Sequence, residues 1–167
     1  MFYNMLRIAL DIDDTVLNWR KAHEEKFKCH LRKTKFETVT KQVNSLKHNK
    51  DFWENLTLLE KPDFIPELWC TKRVNSKVYT RNSFRKTGLP IKPIIQFYNQ
   101  SDNKALGLIG KCDILIDDSW FNVNQCLEAG FPALLITRPH NKWVKTKYRV
   151  SHLSYKEIEK KYYELFR

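Results

Sequence analysis

The segment from Cys112 to Thr137 constrains the fold more than any other part of the chain. An apolar run, Ile114-Leu115-Ile116, gives way to a polar and aromatic stretch from Asp118 to Glu128, and a second apolar run, Ala133-Leu134-Leu135-Ile136, follows. Ser119 can cap a helix at the start of the middle stretch, and Gly130 can close it. A strand, a helix and a strand in that order imply parallel pairing, because a helical crossover returns the second strand in the direction of the first.

Other short apolar or β-branched runs extend this unit into an α/β domain. Strands are expected at about 6–12, 76–81, 93–98, 112–117 and 132–137, each bounded by turn or charged residues. The stretch 19–72 reads differently: it is rich in Lys, Glu and His, with Leu46, Phe52, Trp53, Leu56 and Leu59 at helix-like spacing. It is expected to be a small helical insert, with Pro62 and Pro66 breaking or starting helices near its end. The core then comprises 1–18 and 73–167. Ser154 with Glu157 forms a capping box ahead of an amphipathic C-terminal helix through Phe166, expected to pack on the sheet.

At 167 residues the chain is long enough for one domain with a real core, or for such a domain carrying an insert. No apolar run approaches a membrane span, and the N-terminus lacks a signal-like pattern, so a soluble, cytoplasmic protein is expected, a viral one acting in a host cytoplasm included. Cys29, Cys70, Cys112 and Cys126 show no C-x-x-C spacing, which argues against a zinc site and against a disulfide framework. The net charge of +11 favours polyanionic or phosphorylated partners, nucleic acid among them. A homodimer is compatible with the sequence.

The chemistry begins where the first apolar run, Ile8-Ala9-Leu10, ends in Asp11, Asp13 and Asp14. In an extended chain residues two apart share a side, so Asp11 and Asp13 can face one small volume, where their repulsion calls for a cation or a shared proton. In an open parallel sheet the carboxyl ends of the strands gather in one crevice. Read together, these ends offer Asp11 and Asp13 from the first strand, Thr80 from Val78-Tyr79-Thr80, Lys104 after the third, and Asp117-Asp118 after the fourth.

This set resembles the haloacid dehalogenase-like (HAD) superfamily of aspartyl phosphotransferases. Leu10-Asp11-Ile12-Asp13-Asp14-Thr15 fits its D-x-D-x-T motif, Thr80 its strand-end hydroxyl, Lys104 its lysine and Ile116-Asp117-Asp118 its terminal acidic pair, in the same order along the chain. Lys111 competes for the lysine role, but it sits at the start of the fourth strand and the spacing of Lys104 suits the superfamily better. The second half of the chain, through Thr137-Arg138-Pro139-His140-Asn141, looks like the 5'(3')-deoxyribonucleotidase branch. The resemblance implies a three-layer, Rossmann-like parallel sheet with a small helical cap inserted after the first strand. It also implies hydrolysis of phosphate monoesters of nucleoside monophosphates.

A carboxylate nucleophile splits this slow hydrolysis into two steps, and Asp11 is expected to fill that role through an aspartyl-phosphate. Asp13 would protonate the leaving alkoxide and then deprotonate water. Mg²⁺ suits an all-oxygen site. By resemblance, Asp11 and Asp117 supply side-chain oxygens and Asp13 a backbone carbonyl; adjacent strand residues point to opposite faces, so Asp118 is expected to hold the metal's water shell or to orient a neighbour. Thr80 would bond a phosphate oxygen and Lys104 would neutralise phosphoryl charge. Arg81, Arg138, His140 and Lys142 are candidate substrate groups, and Trp19 is placed to meet a base better than Phe52, Trp53 or Trp69. Two further readings stand beside this one: a phosphatase of nucleic-acid ends, and a non-catalytic nucleic-acid- or protein-binding module on the same fold.

Overall fold

The computed structural model describes residues 5–167. Strand β1 (Ile8–Asp11) lies at the centre, flanked by β2 (Leu68–Thr71) and β4 (Ile114–Asp117), in a six-stranded sheet ordered β3-β2-β1-β4-β5-β6. β3 is Ile94–Gln96, β5 Ala133–Ile136 and β6 Arg149–Val150. Every pairing is parallel. The chain builds outward from β1 to β3, then crosses back over β1 to build β4 to β6, so β1 is the topological switch point beside which ligands bind in such sheets.

Alternation along the strands explains the layers. Ile8 and Leu10 of β1, Ile114 and Ile116 of β4, and Leu134 and Ile136 of β5 share one buried cluster; Ala9, Leu115, Ala133 and Leu135 point into a second cluster on the other face. The C-terminal helix, α7 (Tyr155–Phe166), seals the first cluster with Ile158 and Tyr162. On the other face α6 (Trp120–Glu128) contributes Val123 and Cys126, and α5 (Lys104–Leu108) contributes Ala105 and Leu108.

Between β1 and β2 stand α1 (Trp19–Phe27), a single 3-10 turn (Leu31–Lys33), α2 (Phe36–Ser45) and α3 (Lys50–Glu54). Leu46, Trp53 and Leu56 from this insert join the first sheet cluster, so its inner side is continuous with the core. Among the described residues all four cysteines are free, and no helix is long and apolar enough to cross a membrane.

One expected strand is displaced. Residues 76–81 begin a helix, α4 (Lys77–Thr87): the Ser76 side chain accepts a hydrogen bond from the Val78 amide at 3.3 Å, and Gly88 closes the other end at φ 69°. These caps outweigh the β-branched and aromatic residues here, and Val78 is largely exposed. The strand beside β1 is instead Leu68-Trp69-Cys70-Thr71, buried at every position. Residues 68–71, read from sequence as part of the end of the insert, therefore lie in the core sheet. Strand β6, only two residues long, carries no periodicity to read.

Candidate active site

At the carboxyl edge of β1 the backbone turns sharply. Asp14 adopts φ 58°, the left-handed region that few residues other than glycine enter, and the Val16 and Leu17 amides bond back to the Ile12 carbonyl. This turn is braced from behind by Arg138, which is buried and donates to the carbonyls of Asp14 and Thr15 and to Glu60. Arg138, expected to meet substrate, is thus an internal tie.

Asp11 ends β1 and Asp117 ends β4, on adjacent strands in register. Between them lies Lys104, the first residue of α5, almost wholly buried. Its Nζ donates to Asp11 Oδ1 and, at 2.7 Å, to Asp117 Oδ2. Helix α5 comes close because residue 107 is glycine: a Cβ there would meet the Phe97 ring at 2.8 Å. Asp117 also accepts from the Ser119 amide at 2.8 Å and from Asn122 Nδ2 through both oxygens.

Asp118 does not simply face away from Asp117, as neighbours in a strand do. The strand stops at Asp117, and Asp118 instead accepts from Thr15 Oγ1 and pairs with His140 Nε2 at 2.7 Å. Oxygens of Asp11, Asp117 and Asp118 lie within 4.8 Å of one another, and a second group, Asp14, Asp118 and His140, does the same. Burial raises Asp118 to about 8, with Asp117 adding to it, and burial with Asp118 raises Asp14 to about 7. Burial also pushes Asp11 well above the ordinary carboxyl range against the pull of Lys104. Burial alone would lower Lys104, but Asp11 and Asp117 outweigh it and hold the ammonium above its usual range. Five carboxylates share this corner with two buried cations, Lys104 and Arg73, so the donor set fits an additional divalent cation bound by oxygen.

Asp13 points across the cleft to β2. Arg73 grips it through both oxygens, Nε to Oδ2 at 2.8 Å and Nη2 to Oδ1 at 2.7 Å, and its third nitrogen donates to Thr80 Oγ1 at 2.9 Å. The guanidinium is buried and lies 5.2 Å from the Trp53 ring of the insert. Thr80 therefore sits behind Arg73 on α4. The hydroxyl at the strand end is Thr71, whose Oγ1 donates to Asp13 Oδ2 at 3.4 Å. Sequence reasoning misses Thr71 and Arg73 because it misses their strand. The tetrapeptide Leu68-Trp69-Cys70-Thr71, apolar and ending in a hydroxyl, is the available signal.

These groups open into a cleft of about 760 Å³ between the sheet edge and the insert. On the insert side it is lined by Trp19, Arg20 and the apolar face of α2, Phe36, Val39 and Val43; on the sheet side by Lys72, Tyr98 and Phe121. Lys72 donates to Gln100 O and Asn122 Oδ1, and burial and nearby Lys104 lower its pKa. Trp19 lines the cleft. Trp69 is buried against Phe84, Phe52 packs on the core, and Arg81, Lys111 and Lys142 are exposed outside the cleft lining.

Several solved structures share this architecture. An L-2-haloacid dehalogenase superimposes with a TM-score of 0.62 at 13% identity, over 94% of this chain and 99% of that one. The fold is that of the haloacid dehalogenase-like superfamily. A subfamily IA HAD hydrolase from Geobacter sulfurreducens matches with a TM-score of 0.54 at 14% identity, over 94% of this chain and 99% of that one. A HAD-like hydrolase from Streptococcus pneumoniae gives 0.53 at 11% identity, over 96% and 98%. No family model matches the sequence, and no curated protein does. On this HAD-like fold the cleft occupies the crevice at the switch point, the usual ligand position in open parallel sheets.

Proposed function

We propose that the chain is a Mg²⁺-dependent phosphatase that hydrolyses (deoxy)ribonucleoside monophosphates through an aspartyl-phosphate on Asp11. The observation that carries this reading is the Asp11–Lys104–Asp117 chain of contacts at the switch point, opening into a cleft walled by apolar and aromatic side chains. Such a site presents a nucleophile, a fixed cation and a place for a flat leaving group.

Asp11 attacks phosphorus while Lys104 and the Thr71 hydroxyl offset charge on the phosphoryl oxygens. Asp11, Asp117 and Asp118, with the Asp13 carbonyl, would hold Mg²⁺, which when bound supplies charge neutralisation at the phosphoryl group. Asp13 serves the proton. In the arrangement seen both of its oxygens accept from Arg73, so the proton given to the leaving alkoxide, and the one later taken from water, must sit on an oxygen lone pair that the guanidinium fork leaves free. The exposed faces of Phe36, Tyr98 and Phe121 are available to a nucleobase.

A phosphate-release screen over mononucleotides, oligonucleotide ends and sugar phosphates, with and without Mg²⁺ and with 2-haloacids as a control set, tests the reading. Mg²⁺-dependent release from mononucleotides is expected, with Asp11→Asn lowering kcat by roughly 10⁴-fold or more. Equal activity in that variant would remove Asp11 as nucleophile, and release of halide instead of phosphate would replace the reaction.

A further inference from the structure

The cleft leaves one built feature of the molecule unused. The connection from β5 to β6, residues 137–148, carries an indole that is held in place and yet left in water. Trp143 is 74% exposed, while its Nε1 donates to the His140 carbonyl at 3.0 Å. A tryptophan typically buries roughly 150–250 Å² when it is used for packing, so an ordered exposed one contributes little to the fold.

The loop beneath it is rigid. Asn141 Nδ2 donates to the carbonyls of Asp118 and Ile136, both at 2.8 Å, and the Asn141 side-chain oxygen accepts from the Arg138 amide at 3.0 Å. Arg149 ties the far side, donating to the carbonyls of Val144 at 2.7 Å and Asn141 at 3.0 Å, and Val144 is buried. The indole is thus a fixed platform.

Its surroundings are cationic. No Asp or Glu occurs between Glu128 and Glu157, a stretch that holds Arg138, Lys142, Lys145, Lys147, Arg149 and Lys156. Lys142, Lys145 and Lys147 are exposed, and among the described residues none of them pairs with a carboxylate. The platform also adjoins the acidic corner, because His140, whose carbonyl holds the indole, pairs its ring with Asp118 at 2.7 Å.

An aromatic face among lysines without carboxylate partners is the chemistry that recognises single-stranded nucleic acid: each base offers a face to stack on, and the backbone phosphates take the ammonium groups. A duplex would hide those faces. A lipid surface is disfavoured, since interfacial binding requires a broad apolar face and Val144, the neighbouring apolar residue, is turned inward. We propose that the β5–β6 loop docks single-stranded nucleic acid, with Trp143 stacking on a base and Lys142, Lys145 and Lys147 meeting phosphates. This goes beyond the catalytic reading and does not depend on it.

The test uses the full chain in EDTA and a fluorescein-labelled oligothymidylate without a terminal phosphate, read by anisotropy across a salt series. Trp143→Ala should weaken binding by about tenfold or more, with Trp143→Phe retaining most of it. Lys145→Glu/Lys147→Glu should reduce the slope of log K against log salt by about 0.7 for each phosphate that is no longer neutralised. Phosphate release from a mononucleotide should be unchanged in all three variants. Absence of binding at low salt, equal binding by Trp143→Ala, or equal preference for a blunt duplex would overturn the proposal. So would loss of binding to phosphatidylserine vesicles, rather than to the oligonucleotide, on removal of Trp143. Should the wild type release no phosphate while the oligonucleotide results hold, the docking surface stands and the phosphatase reading falls.

Discussion

The two walls of the cleft differ in how completely their side chains are committed. On the sheet side Asp11, Asp13, Asp117, Arg73 and Lys104 spend their polar atoms on one another, and Arg73 and Lys104 are buried. On the insert side helix α2 has no buried residue, and Phe36 is 78% exposed although it shares a helical face with Val39 and Val43. A network with every atom engaged has one geometry, which suits the in-line attack on phosphorus proposed for Asp11. An apolar helix face with nothing against it stabilises the fold little and remains free to accept a ligand. Under the proposed function, chemistry and selectivity divide between the walls.

Breaking the committed wall should cost the most. In Lys104→Met the buried carboxylates lose their ammonium, and stability measured by denaturant in EDTA should fall by about 3–5 kcal/mol, the usual result of orphaning one side of a buried ion pair. Mg²⁺ should recover part of that loss if the same oxygens bind it. A variant as stable as wild type would mean that the ion pairs are incidental. Next is Arg73→Ala, which releases Asp13 while leaving the nucleophile in place. A kcat reduced by roughly 10²-fold is expected, the ordinary worth of a positioned proton-transfer group. If Arg73 acts through Asp13, Arg73→Ala and Asp13→Asn should be far from additive in a double-mutant cycle; full additivity would give Arg73 a separate role.

A graded effect should appear with pH. Asp14 at about 7 and Asp118 at about 8 both stand above the ordinary 3.8, so the folded chain keeps protons that the unfolded chain releases. In that window, from about pH 4 to about pH 8, stability falls as pH rises. Melting temperatures in EDTA should decline over this range, and Mg²⁺ should flatten the decline by replacing protons with a cation. A decline that Mg²⁺ leaves untouched would detach these carboxyls from any metal.

How much of this is legible in the sequence follows the same division. The central strands are readable because their apolar runs are continuous and their ends acidic, as at Ile8–Asp11 and Ile114–Asp117. The edge of the site on β2 is not. Val78-Tyr79-Thr80 has better strand formers than Leu68-Trp69-Cys70-Thr71, but a place beside β1 needs four buried residues, and only the latter can fill it. Propensity is local and burial is not. The same limit hides Arg73, whose role comes from meeting Asp13, 60 positions away, and it turns Arg138 from a candidate ligand into a brace. Phe36, Tyr98 and Phe121 carry no signal beyond being aromatic.

The least committed residue gives the smallest effect and the sharpest test of the division. Phe36 begins α2 and makes no side-chain hydrogen bond or aromatic contact among the described residues, so Phe36→Ala should leave the melting temperature almost unchanged. Stacking on a base is worth about 1–3 kcal/mol, so KM for a nucleoside monophosphate should rise by about tenfold. If that stacking is equally strong in the ground and transition states, kcat should not move. A sugar phosphate, lacking the base, should be insensitive to the substitution. Loss of kcat with both substrates would mean that α2 shapes the committed wall as well, and the two sides would then have to be treated as one site.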